Sequence, residues 1–74
     1  MRFELHHNDG TDSRYPDSER DAIRLCGERY GDDLAIGAWD SSTPDSERRL
    51  VWQNDDDASN DDGSKAVAEI IRRK

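Results

Sequence analysis

Carboxylates crowded into one segment are the residues of this chain best suited to bind an ion. Residues 55–62 read Asp-Asp-Asp-Ala-Ser-Asn-Asp-Asp, and Ca²⁺ prefers oxygen ligands at alternating positions of such a loop. A calcium loop that starts at Asp55 puts Asn60 where the turn glycine belongs. One that starts at Asp57 puts Asp62 there, so neither register fits the EF-hand pattern. We interpret the segment as a solvated loop that caps a following helix, with a calcium-binding loop as an alternative.

The two histidines and the single cysteine are the other residues able to hold a metal or attack a substrate. His6 and His7 are adjacent in a predicted strand and point to opposite faces, which disfavours binding of one metal ion by both. Cys26 falls on the apolar stripe of a predicted helix, where a cysteine acts as a small hydrophobe. No phosphate-binding glycine loop, nucleophile elbow or zinc-ligand spacing is present. The sequence therefore predicts no catalytic residue and no cofactor.

An apolar patch on an open sheet face is the most informative candidate surface. Trp39 and Val51 lie on one face of two predicted strands, together with Arg49 and Gln53. Exposed aromatic side chains with a polar rim are typical of protein interfaces. We therefore predict that Trp39, Val51, Arg49 and Gln53 form a protein interface.

The N-terminal elements are a strand and a turn. Residues 2–7 alternate between apolar and polar types, which predicts a half-buried strand. Asp9-Gly10 follows and favours a tight hairpin turn. A return strand over residues 11–15 is predicted, and its polar composition would place it at a sheet edge.

A helix is predicted between Ser18 and Gly31. Ser18 is an N-cap residue, and Asp21 completes a capping box three positions later. The apolar stripe continues to Tyr30, and Gly31 ends the helix as a left-handed cap. Gly27 within the helix costs about 1 kcal/mol relative to Ala. We expect it to let the helix lie close against the sheet.

Two further strands and a last helix follow. The segments 34–39 and 48–53 alternate as strands, and residues 64–73 carry apolar residues at helical spacing. In the preferred register Ile36 lies opposite Trp52. The predicted buried face then consists of Leu34, Ile36, Ala38, Leu50 and Trp52. A slip of one residue would reverse part of this assignment.

These elements predict one small α+β domain over residues 1–74. The order is ββαββα, or βαββα if residues 11–15 do not pair, with an antiparallel-rich sheet and both helices on one face. Leu, Ile, Val and Phe together number 11 of 74 residues. So small an apolar supply suits one buried face rather than two.

Charge and composition limit the partners and the location. The formal net charge is −7, which repels phosphate backbones and anionic membranes, so we predict no nucleic acid and no membrane partner. One cysteine, no signal-peptide run and no membrane-length apolar segment favour a soluble, cytoplasmic protein.

The functional prediction is a non-enzymatic protein–protein interaction or regulatory module. Its partner would be another protein or a second copy of the chain. An acidic mimic of nucleic acid that inhibits a basic nucleic-acid-binding protein is the alternative from another class.

Overall fold

Within residues 2–11, 13–59 and 65–73, the chain forms five antiparallel strands and two helices. The computed structural model describes residues 2–11, 13–59 and 65–73. Its elements are β1 (Arg2–His7), α1 (Glu19–Tyr30), β2 (Ala35–Ile36), β3 (Asp40–Thr43), β4 (Ser46–Trp52), α2 (Asp55–Ser59) and β5 (Ala68–Arg73). The sheet order is β1-β5-β4-β2, and β3 also pairs with β4. The predicted α+β class is confirmed, and the predicted order βαββα is followed roughly from β1 to α2.

The C-terminal segment corrects one sequence prediction. The helix predicted over 64–73 is wrong, because β5 occupies Ala68–Arg73; Ser64 lies outside the described residues. β5 lies at the centre of the sheet, pairing with β1 on one side and with β4 on the other. Its apolar run is compatible with either periodicity. The segment forms a strand because it pairs with β1 along one edge and with β4 along the other, and such tertiary contacts override local propensity.

Short elements form in the predicted acidic loop and in the segment between the strands predicted over 34–39 and 48–53. β3 pairs with β4 through a tight turn at Pro44-Asp45. At the start of α2, the side-chain oxygen of Asn54 accepts a 2.8 Å hydrogen bond from the backbone N–H of Asp57. This N-cap starts a helix within the run of aspartates.

The predicted return strand over 11–15 is reduced to a single bridge. Leu5 and Arg14 exchange two backbone hydrogen bonds of 2.8 and 2.9 Å, and Asp12 lies outside the described residues. The turn after β1 has Asn8 and Asp9 at its centre, because the N–H of Gly10 donates to the carbonyl of His7 at 3.3 Å. The predicted turn centred on Asp9-Gly10 is therefore displaced by one residue, and Gly10 follows it with φ +84°. The N-terminal part of the chain therefore follows the shorter of the two predicted orders.

Both ends of α1 lie where the sequence predicts them. The Ser18 hydroxyl accepts a 3.2 Å hydrogen bond from the backbone N–H of Asp21. At the other end Gly31, at φ +103°, donates its N–H to the carbonyl of Gly27 at 2.9 Å. Only a residue without Cβ adopts that φ without strain.

Removing the N-cap should measurably destabilise the domain. We expect Ser18→Ala to lower the free energy of unfolding by about 1 kcal/mol, because the N–H of Asp21 loses its acceptor. Urea denaturation followed by circular dichroism measures the change. Ser59→Ala, at the exposed end of α2, is the matched control. Equal midpoints for the two variants would contradict the role of Ser18.

The core lies between α1 and one face of the sheet. Its fully buried members, each 0% exposed, are Leu5, Val51, Ala68 and Ile70 of the sheet with Ala22 and Cys26 of α1. Val51 therefore belongs to the helix-covered face, so its predicted place on an open face is wrong. Burial of this face provides most of the apolar stabilisation available to so small a chain.

A shift of one residue in the strand register explains this correction. Ile36 lies opposite Val51 and Ala35 opposite Trp52, whereas Ile36 was predicted opposite Trp52. Residues opposite each other in an antiparallel pair share a face. Leu50 and Trp52 therefore point to the other face, where both are half-buried.

Candidate functional site

The four residues predicted to form an interface do not lie together on an open surface. Val51 is in the core, and Gln53 is exposed just after β4. Trp39 is half-buried and packs against the core from the side of α1. The structure brings only Trp39 and Arg49 into contact, with the guanidinium carbon 4.9 Å from the ring centroid. The predicted open patch around Trp39 and Val51 is therefore wrong as geometry.

Trp39 instead contacts two arginines of the same chain, and each of these arginines pairs with a glutamate. The guanidinium carbon of Arg72 lies 4.3 Å from its ring centroid, in addition to that of Arg49. Arg72 donates to the carboxylate of Glu47 at 2.6 Å, and Arg49 pairs with Glu19 at the start of α1. Cations over an aromatic face are attracted by the ring quadrupole. Trp39 is thus connected to the start of α1 through Arg49, which contacts both the indole ring and Glu19.

The open face of the sheet is covered by ion pairs. Glu4, only 8% exposed, accepts hydrogen bonds from Arg73 and His6. The bond from Arg73 lowers the pKa of Glu4 most, and that from His6 lowers it further, while burial opposes both. Arg48 pairs with Glu69 at 3.3 Å. The arginines of the C-terminal strands therefore neutralise glutamates of neighbouring strands.

A cavity with a largely apolar lining lies beside α1. It measures about 420 Å³ and lies between α1 and the edge strand β2. Its apolar lining consists of Ile23, Gly27, Leu34 and Ile36, and its polar rim of Arg24, Glu28, Gly31 and Asp32. Such hollows accept apolar side chains of ligands or partners.

Gly27 lines this cavity, and a side chain at this position would have room. A Cβ built on Gly27 would have the Asp32 carboxylate as its nearest neighbour outside its own helix, at 3.9 Å. The predicted close approach of the helix to the sheet at Gly27 is therefore wrong. Glycine here costs the helix about 1 kcal/mol without relieving any contact of the fold. A residue that disfavours its own helix without improving the packing of the fold is typical of a functional site.

An acidic hollow of about 440 Å³ continues the cavity. Its lining is Asp32, Asp33, Leu34, Asn54, Asp55 and Asp56. Asp32 and Leu34 line both spaces. We call the combined surface the α1–β2 groove, with an apolar half around Gly27 and an acidic half around Asp33 and Asp55. The N-cap of α2 at Asn54 fixes the position of the carboxylates that follow it.

The sequence could not place these acidic residues together. Asp33 and Asp55 are separated by β2, β3 and β4, and only tertiary structure brings the segment that follows α1 next to the start of α2. For the apolar half of the groove the sequence offered one signal, Gly27, because a glycine in the middle of a helix is unfavourable and suggests a functional or packing reason.

The described residues include no metal-binding arrangement. Across residues 2–11, 13–59 and 65–73, no group of three or more His, Cys, Asp or Glu is placed to hold an ion. Residues 60–63 of the predicted calcium loop lie outside the described residues. Burial raises the pKa of the Cys26 thiol to about 11, so that it is protonated near neutral pH and a poor nucleophile.

The comparisons with known proteins add no relative. No protein-family model, curated protein or solved structure matches the chain. No helix in the described segments is long and apolar enough to cross a membrane. The geometry and charge of the α1–β2 groove are thus the basis for assigning a function.

Proposed function

We propose that this protein is a non-enzymatic interaction module that binds a basic segment of a partner protein in the α1–β2 groove. One observation carries the proposal: an apolar hollow, lined in part by a glycine of α1, continues directly into an acidic one. The partner segment would have an apolar side chain next to lysines or arginines.

The apolar half of the groove supplies an anchor site. An inserted side chain would contact Ile23, Leu34 and Ile36 at the space that Gly27 leaves open. Burial of apolar area provides about 25 cal/mol per Å². A single anchor in a preformed pocket is the usual centre of an interface hot spot.

The acidic half supplies charge complementarity. Asp32, Asp33, Asp55 and Asp56 place four formal negative charges along one hollow. Such a field attracts a basic segment and speeds its association, an effect that salt weakens. A basic nucleic-acid-binding protein is one class of partner that carries such a basic segment. The hypothesis that this protein mimics nucleic acid is therefore one form of the same proposal.

The edge strand β2 supplies backbone groups. β2 pairs with β4 on one side and stands at the end of the sheet order. An extended segment that lies along such an edge can add main-chain hydrogen bonds to the side-chain anchor. The buried, unpaired Cys26 supports a reducing, cytoplasmic location for this binding.

The decisive variant adds a methyl group to the apolar half of the groove and at the same time improves the helix. We expect Gly27→Ala to raise the free energy of unfolding by up to about 1 kcal/mol, because alanine is the better helix former and its methyl group has room. The same methyl group should weaken binding of a lysine-rich peptide with one central leucine by about tenfold. Urea denaturation measures the first effect, and ¹⁵N NMR titration with the synthetic peptide measures the second.

Charge and anchor are tested separately. Asp33→Asn should weaken peptide binding, whereas Asp17→Asn, with the same change of net charge outside the groove, should not. Replacing the peptide leucine by glycine, or its lysines by glutamates, should abolish the shifts at Leu34 and Ile36. The proposal is wrong if the peptide shifts other surfaces only, or if both aspartate variants bind alike. Shifts that depend on protein concentration without peptide would indicate self-association instead.

A further inference from the structure

We propose that a second hollow, lined by His7, Arg14 and Arg29, binds a small tetrahedral oxyanion, either phosphate or a phosphate ester. The hollow measures about 300 Å³ and is completed by Leu25 and Glu28. Its residues come from β1, from the segment that bridges to β1, and from α1. This site is independent of the α1–β2 groove, since the two share only the rim residue Glu28.

The fold positions both guanidinium groups at the hollow. The two backbone hydrogen bonds with Leu5 fix Arg14 beside β1. Arg29 is held from the other side, where its Nη2 donates to the Asp9 carboxylate at 2.7 Å and to the Thr11 hydroxyl at 2.8 Å. Guanidinium groups are the preferred donors to phosphate oxygens because their geometry matches.

Among the residues that the structure describes, the charges at the hollow leave one cation without a carboxylate partner. Asp9 neutralises Arg29, and Arg24, which pairs with Glu28 at 2.9 Å, neutralises that rim carboxylate. Arg14 is exposed, and no carboxylate of the described residues lies within ion-pair distance of it. In a chain with a net charge of −7, a local excess of positive charge at a concave surface is an unusual feature. An anion is the ligand that it would attract.

The pKa of His7 should depend on the charge of a ligand bound at this site. Its Nδ1 lies 2.7 Å from the Tyr30 hydroxyl, and the two rings meet edge to face at 5.7 Å. Burial lowers the pKa of His7 most, and Arg29 lowers it further. The charges of Asp9, Arg14, Arg29 and His6 act on it, and the titratable hydroxyl of Tyr30 contacts it directly. A bound dianion would counteract both arginines, and so raise the pKa of His7.

The size of the hollow allows an organic group next to the anion. Leu25 supplies the apolar wall, against which the alcohol part of a phosphate ester can pack. Inorganic phosphate would use only the polar side, with His7, Arg14 and Arg29 as donors. The two sources share one anion chemistry and differ in whether Leu25 contributes.

The test uses sulfate, whose charge does not change near neutral pH, added to the whole chain at constant ionic strength. We expect a saturable shift of the His7 imidazole signals in ¹H–¹³C NMR and a raised His7 pKa. His6, which is engaged by Glu4 and Ser13, is the internal control and should change little. Arg14→Gln should weaken sulfate binding by about tenfold, the effect of one lost charge-assisted hydrogen bond.

A matched charge variant separates binding from general electrostatics. Arg20→Gln removes the same charge outside the hollow and should change the affinity by less than about twofold, as expected for an exposed charge. The proposal fails if sulfate leaves His7 unmoved, if His6 shifts equally, or if the two arginine variants behave alike. Tighter binding of phenyl phosphate than of inorganic phosphate would identify an ester as the ligand, and equal binding would identify free phosphate.

Discussion

Val51→Lys is expected to unfold the domain, whereas Leu50→Lys, one residue away, should leave it folded. Val51 is 0% exposed and contacts the core, so a lysine there would be a buried charge without a partner. Burial of an unpaired charge costs several kcal/mol. A chain of this length has a total stability of about 4–11 kcal/mol. Circular dichroism and the dispersion of amide NMR signals would report the loss of structure.

Leu50→Lys is the matched control because it introduces the same charge on the other face. Leu50 is half-buried there and lies opposite Glu69 in the β4–β5 register. A lysine at this position gains a carboxylate neighbour across the strands. The reverse outcome, with Leu50→Lys unfolded and Val51→Lys folded, would restore the register predicted from sequence and contradict the structure.

Trp39→Ala is expected to lower the free energy of unfolding by about 3 kcal/mol, the lower end of the range for tryptophan truncation in a core. The ring packs against the core, and the guanidinium groups of Arg49 and Arg72 lie over it. These contacts are lost together, while Arg72 keeps its bond to Glu47 and Arg49 keeps its bonds to Glu19 and to the Gly37 carbonyl. Urea denaturation at low and high salt would measure the change.

Trp39→Phe is the control for the aromatic face. It retains a ring over which the two cations can lie, so it should cost clearly less than Trp39→Ala. A loss near zero for Trp39→Ala would instead place this side chain on an open surface, as the sequence predicted. The free energy of unfolding of Trp39→Ala thus shows whether Trp39 stabilises the fold or lies in an interface. The measurement needs no partner protein.

Helix α1 serves the core, the groove and the hollow with different sides of one helix. Residues four positions apart lie on the same side, and three such pairs face three directions. They are Ala22 and Cys26 in the core, Ile23 and Gly27 in the groove, and Leu25 and Arg29 at the anion hollow. This explains why a small domain can offer two concave surfaces beside one core.

The sequence by itself determined the features that depend on neighbouring residues. Ser18 and Gly31 delimit α1 because capping involves only a few adjacent backbone groups. Alternation along a strand put Arg49 and Val51 on one face, since successive side chains point to opposite sides. The α+β class followed from the same local patterns.

Tertiary structure decided which face is buried and which distant residues meet. The register between β2 and β4 differs by one residue from the predicted one, and that reverses the faces of Leu50 and Val51 relative to α1. β5 became a strand through pairing on both edges. The acidic half of the groove needs the segment between α1 and β2 beside the start of α2. Each of these depends on contacts between residues far apart in the chain, whose free energy no local pattern contains.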